Sequence, residues 1–274
     1  MNKLSISKRA RILGMLVEGN CLRATSRMAD VSINSVTKLL VDVGTACEAY
    51  HDKTVVHVPS KRIQCDEIWS FVYAKDKNAT PEDKAAGEAG DVWTWTAIDA
   101  DTKLMVTWQI GSRDSETGIP FMRDLASRLA NRIQLTTDAF AGYRALVGDA
   151  FHGAVDYAML VKIFSTPPGA PGRYSPGECC GTTKRVIRGN PDQDHISTSY
   201  VERQNLTMRM CMRRFTRLTN GFSKKVENHA HAIALHFMYY NFGRIHKTLR
   251  VTPAMEAGIS DHVWSLEEIC SLVG

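Results

Sequence analysis

Apolar residues in the first fifty positions recur at spacings of three and four, which predicts helices rather than strands. SISKRARILGMLVEG offers a serine cap, then Ile12, Leu13, Leu16 and Val17 on one side, with Gly19 as a stop. CLRATSRMAD reads as a short second helix. Val31 lies in a tight turn, and Ser32 can cap a third helix carrying Ile33, Val36, Leu39, Leu40 and Val43 on one face. Two short helices joined by a tight turn match the helix-turn-helix arrangement, in which Asn34, Ser35, Thr37 and Lys38 would point at base edges or phosphates. A small helical bundle used for packing or dimerisation fits the same pattern.

VVHVPSKR is an extended, proline-containing connection, and after it the period changes. RIQCDEIWSFVYA is rich in β-branched and aromatic residues, and VWTWTAIDADTKLMVTWQIG reads as two further strands joined by a tight DADTK turn. The polar stretch between them, residues 74–91, is read as a loop. SETGIPFMRDLASRLAN predicts a helix capped near Ser115, RIQLTTDAF a short strand ending in Asp138, FAGYRALVGDAF a helix and VDYAMLVKIF a strand. Residues 165–194, with their glycines and prolines, read as an excursion. Three antiparallel strands, helix, strand, helix, strand, helix is the order of an α/β mixed sheet flanked by helices, and it matches the ribonuclease H-like order. The expected division is a helix-turn-helix domain over 1–58, a ribonuclease H-like domain over 59–220 and a C-terminal helical segment over 221–274.

HISTSYVERQNLTMRMCMRRFTRL, residues 195–218, predicts an amphipathic helix. Glu202, Asn205, Arg209 and Arg213 fall on one face, with Val201, Met208, Cys211, Met212 and Phe215 roughly opposite. From Glu202 to Lys225 the glutamate stands among Arg203, Arg209, Arg213, Arg214, Arg217, Lys224 and Lys225. A lone carboxylate in so positive a field suits a metal ligand beside a phosphate backbone, although a solvated basic face has the same pattern.

Composition changes this picture little. An apolar fraction of 44% and a charged fraction of 23% are ordinary for a globular protein, and the net charge of +5 only hints at a polyanionic partner. Seven scattered cysteines do not form a disulfide framework, which fits a reducing compartment. The adjacent Cys179 and Cys180, even with His195, lack the spaced pairs of a structural zinc site. No leader pattern and no apolar run of about 18 to 20 residues is present, so a cytoplasmic protein without membrane spans is expected.

Three carboxylates stand out by position: Asp66 in the first strand, Asp138 at the end of the fourth and Glu202 on the late helix. Clustered carboxylates repel one another unless a cation compensates them, and hard oxygen ligands favour magnesium or manganese. A pair of such ions supports phosphodiester hydrolysis and strand transfer. Glu67 should point to the sheet face opposite Asp66, so one of the pair alone is expected in the site. Asp99 and Asp101 read as turn formers, and Asp138 could instead cap the helix that follows it.

QCDEIWSFVYAK, TTDAFAGY and SYVERQNLTMR followed by RFTRLTNGFSKKVENHA resemble the three acid motifs of bacterial insertion-sequence transposases of the DDE superfamily, closest to the IS-one group. The resemblance covers roughly residues 61–250. It implies a metal-binding triad of Asp66, Asp138 and Glu202, Mg2+ or Mn2+ as cofactor, and Arg209 as the basic residue near DNA. It implies double-stranded DNA as partner, as element ends and target, and at least a dimer. The ending YYNFGRIHKTLRVTPAMEAGI is similar to transposase C-terminal segments, with a DNA or packing role for Arg244, His246 and Lys247. The stretches at 74–91 and 165–194 depart from compact members of the group. The rival readings are a non-catalytic DNA-binding regulator and a nuclease that cuts without joining.

Overall fold

The computed structural model describes residues 4–165, 177–216 and 220–274. Part of the 165–194 excursion, and Arg217, lie outside the described residues. Three helices open the chain: α1 (Ile6–Val17), α2 (Leu22–Ala29) and α3 (Ile33–Thr54). Each begins on a side-chain cap, from Ser5, Cys21 and Ser32 respectively. Then follow β1 (Arg62–Val72), a short α4 (Pro81–Ala85), β2 (Gly90–Asp99), β3 (Met105–Gly111), α5 (Ser115–Arg128), β4 (Ile133–Thr137), α6 (Tyr143–Phe151), β5 (Val155–Ser165) and β6 (Glu178–Arg188). The chain closes with α7 (Ser199–Cys211), α8 (Val226–Met238), α9 (Pro253–Glu256) and α10 (Leu266–Ser271).

The strands form one mixed sheet in the order β3-β2-β1-β4-β5-β6. β1, β2 and β3 make an antiparallel meander, β1 runs parallel to β4 and β4 to β5, and β6 returns antiparallel to β5. Because successive residues of a strand face opposite ways, β1 feeds two cores. Ile63 and Cys65 join Trp95, Leu135, Phe121 of α5 and Tyr143 of α6. Ile68 joins Ile98, Val201 and Met208 of α7, and Ile233 and Phe237 of α8. Helices therefore cover both faces.

Three expectations need correction. The excursion is not all loop, since β6 lies within it and pairs with β5 from Tyr157 to Ser165. Its TTKRVIR run alternates weakly, and pairing with β5 rather than its own pattern makes it a strand. The basic helix stops at Cys211; Met212 is extended and Arg213–Phe215 form a separate tight turn, so Arg213 does not continue the face of Glu202 and Asn205. Burial of Met212 and Phe215 in the α7 and α8 core pulls the chain out of helical register there. The stretch at 74–91 contains the short α4, started by Thr80 as cap and Pro81 in the first turn.

The amino-terminal helices are not set apart from the rest. α3 packs along α8 and α1 against α10, and one continuous buried core runs from Ile12, Leu13 and Leu40 through the sheet to Ile269. The approach of α3 to α8 is close enough to require glycine: a Cβ on Gly44 would lie 2.5 Å from Cβ and 2.7 Å from Cα of His231. Among the described residues, no helix is long and apolar enough to cross a membrane.

Gly44→Ala is expected to lower stability by about 1–3 kcal/mol, the usual range for overpacking a close contact. Thermal melting followed by circular dichroism checks this; an unchanged melting temperature would mean that α3 and α8 slide apart freely.

Candidate metal centre

The site begins where β4 stops. β1 and β4 stay in parallel register from Arg62 opposite Gln134 to Cys65 opposite Thr137, and β4 ends there. Beyond that point β1 continues with β2 on its other side, while the vacated flank is bordered by Asp138 in the turn before α6. Asp138 Oδ1 accepts the Phe140 amide at 2.9 Å, which fixes the carboxylate at the strand end. Asp66 and Glu67 leave β1 on opposite faces, but with no strand beside them both carboxylates reach this flank. Oxygens of Asp66, Glu67 and Asp138 all come within 4.8 Å of one another, so the three can coordinate a divalent metal. The expectation that only one of Asp66 and Glu67 enters the site is thus overturned: strand alternation fixes where a side chain departs, and a missing neighbour lets two departures converge.

Positive charge is already in place. Arg113, just past β3, bridges the acids, with Nε 3.0 Å from Glu67 Oε2 and Nη2 3.4 Å from Asp138 Oδ2. Its guanidinium lies over the rings of Trp93 at 4.9 Å and Phe140 at 4.5 Å, which hold it flat. Burial pushes the Asp66 carboxyl up to about 6, helped by the charges of Asp138 and Glu202 and opposed by hydrogen bonds. Burial likewise pushes Glu67 up to about 7, with the neighbouring Tyr143 phenol and Arg113 pulling the other way. Glu67 Oε1 and the Tyr143 hydroxyl are both buried, yet neither has a partner at good hydrogen-bond geometry. A buried carboxylate oxygen without a partner is costly unless a proton or a cation meets it.

α7 is laid over β1 by two amides. The Gln64 side-chain oxygen accepts the backbone N–H groups of Tyr200 at 2.9 Å and Val201 at 3.2 Å, capping a helix whose own Thr198 makes no cap bond. One turn on, Asn205 Nδ2 donates to Asp66 Oδ2 at 2.8 Å. Asn205, predicted on the same face as Glu202, is buried there and orients Asp66. Glu202 lies outside the cluster of three. It is held by Lys162 of β5 and the Thr198 hydroxyl, although its charge is felt at Asp66. Arg209 is half-buried on the same helix, and Arg213 is exposed beyond its end.

No protein-family model matches this chain, and no curated protein matches it. The site must be read from its own chemistry. Three converging carboxylates are hard donors suited to a hard divalent cation. Of the amino-terminal candidates, Asn34 and Lys38 are exposed, while Ser35 and Thr37 are half-buried. Ser35 bonds to Ser32, and Thr37 bonds back to the Ile33 carbonyl. Lys38 pairs with Asp42 at 2.7 Å, a surface pair worth about 0–1 kcal/mol and easily exchanged for another anion. Cys179 and Cys180 are exposed on β6, and His195 pairs with Asp192. Arg113, Lys162 and Tyr143 were not visible as site residues in the sequence, since each sits on an element apart from the acids; Gln64 shares β1 with Asp66, but its reach to α7 is set by packing. Glu67 did carry a signal, its place beside Asp66.

Two outcomes follow from the raised carboxyls. A carboxyl whose folded pKa lies above its unfolded value favours folding most when protonated, so its contribution declines as pH rises from about 4.5 toward 6 and 7. A divalent ion opposes that decline, because above pH 7 it need not displace protons. The rise in melting temperature on adding Mn2+ is expected to be larger at pH 8 than at pH 5.5, and to vanish in Asp138→Asn; an equal rise at both pH values would remove these carboxyls from the metal site. Arg113→Gln, which leaves the acids uncompensated, is expected to cost about 1–3 kcal/mol at pH 8, less than a fully buried pair because Arg113 is a third exposed. Denaturant titration should find a smaller loss at pH 5.5, and Mn2+ should recover most of it at pH 8.

Proposed function

We propose that this protein is a DNA transposase of the insertion-sequence DDE kind, cutting and joining DNA with Mg2+ or Mn2+. The observation that carries this reading is the convergence of Asp66, in the middle of β1, with Asp138, at the end of the neighbouring parallel β4, and the Glu202 helix laid across β1. The strand order, an antiparallel meander followed by two parallel strands, supports a ribonuclease H-like fold. The three amino-terminal helices, with Asn34 and Lys38 exposed at the start of the third, support a helix-turn-helix.

In this reading Asp66, Asp138 and Glu67 hold the ion, with Glu202 beside them. A divalent ion held there would supply activation of a water or DNA 3′-hydroxyl and charge for the leaving oxygen of the phosphodiester. Asn205 keeps Asp66 aimed at the site, and Arg113 and Lys162 supply positive charge for the DNA phosphates gathered there. Two DNA ends and a target call for at least a dimer. The pairing of every acid with a resident cation or amide also favours a second reading, a DNA-binding regulator without turnover.

Labelled duplexes carrying the inverted ends that flank the gene, incubated with a target plasmid and Mg2+, test both. Joined products are expected from the wild type, with loss of cutting and joining but retained DNA binding in Glu202→Gln. Binding by both proteins without any cutting would favour the regulator, and cutting without joining a nuclease.

A further inference from the structure

A cavity of about 620 Å3 lies beside α7's carboxy-terminal end, walled by α1, α2, α3, α8 and the residues Cys211–Arg214 and Asn220–Lys224. Its volume falls in the range that small-molecule sites occupy. Leu16, Val17, Leu22, Leu40 and Leu235 make an apolar body, and Arg23, Arg213, Arg214 and Lys224 stand around it. No Asp or Glu is among its described lining residues. Four cations bordering an apolar hollow without an acid repel one another, a cost that an anion would remove.

Arg214 shows why the charge is uncompensated. Ser70 donates to the Val92 carbonyl at 3.1 Å, so its oxygen accepts from His229 Nε2 at 3.1 Å. His229 Nδ1 then accepts the Ser223 hydroxyl at 2.9 Å, and Ser223 Oγ accepts Arg214 Nη1 at 2.7 Å. Every link is neutral, so the guanidinium is positioned but not neutralised; burial accordingly pushes the Arg214 pKa down to about 10. Deeper in the wall, His236 is 5% exposed and its Nε2 has no hydrogen-bond partner. Burial keeps that imidazole neutral near pH 7, so it adds no charge to the wall.

We propose that this cavity binds a nucleoside monophosphate unit, its phosphate on Arg214 and the surrounding cations and its base in the apolar hollow. A phosphate dianion answers several cations where a carboxylate answers fewer, and guanidinium groups hold phosphate through paired hydrogen bonds. A nucleobase supplies a flat apolar face that fits the hollow lined by Leu16, Val17, Leu22, Leu40 and Leu235. The unit has two sources, a free nucleotide or the phosphorylated terminal nucleotide of a DNA strand. Neither source requires the carboxylate cluster.

Isothermal titration with 2′-deoxyadenosine 5′-monophosphate, in EDTA so that no divalent ion takes part, tests the proposal. Saturable one-to-one binding with a dissociation constant under about 1 mM is expected. Deoxyadenosine and inorganic phosphate should each bind about tenfold more weakly or worse, since each lacks half of the recognised unit. Arg214→Gln should weaken binding about tenfold, and Arg23→Glu, an exposed change that leaves the fold alone, about threefold or more. A 5′-phosphorylated oligodeoxyadenylate binding tighter than the mononucleotide would identify a strand end as the source, and weaker binding the free nucleotide; either supports the site. No binding of the mononucleotide, equal binding of phosphate alone, or unchanged affinity in Arg23→Glu would overturn it.

Discussion

Three carboxylates within 4.8 Å of one another, with Glu67 buried among them, cannot all stay ionised unless positive charge or donors meet them. Much of the local architecture answers that demand. Arg113 is brought from the end of β3 and held between Trp93 and Phe140, Asn205 from α7, and Tyr143 from the start of α6. Lys162 of β5 answers the neighbouring Glu202. The partners come from elements far apart in sequence, so the cluster joins the edges of the domain as well as offering a place for a metal. The same demand explains why β4 is short. One more paired residue would fill the flank where the carboxyls gather.

Much of the frame was legible in the residues. Periodicity located the three amino-terminal helices, and the β-branched runs located the meander and the two parallel strands. Asp66 and Asp138 could be placed because strand ends and turn starts are marked by composition. What remained hidden depended on neighbours. Glu67 was assigned away from the site because strand alternation describes where a side chain departs and says nothing of a missing adjacent strand. Asn205 looked like a surface residue because helical geometry gives an angle but not what lies beneath it. Arg213 left the helix because Met212 and Phe215 found a better place in the core than continuing the spiral. β6 was missed because its sequence carries many charges and only its pairing with β5 makes it a strand.

The amide of Gln64 links these levels. A residue on β1 caps α7 and so fixes its rotation, which places Asn205 above Asp66 two positions further along the same strand. A carboxamide on the sheet thereby does what a serine or aspartate at the helix start ordinarily does. It also couples the helix to the strand that bears two of the acids. The orientation of Asp66 is thereby tied to the placement of α7.

β6 forms one edge of the sheet, with β3 at the other. An outer strand offers unpaired backbone groups to any extended chain that meets it, and chain-to-chain sheet growth starts at such edges. Lys184, Arg185 and Arg188 are exposed along this one. Two copies meeting edge to edge would set these charges against each other, so fibre-like self-assembly is opposed by electrostatic repulsion. That protection is screened over about 8 Å at physiological ionic strength and shrinks further in concentrated salt. The protein's colloidal behaviour is therefore tied to its ionic surroundings through a strand remote from its acids.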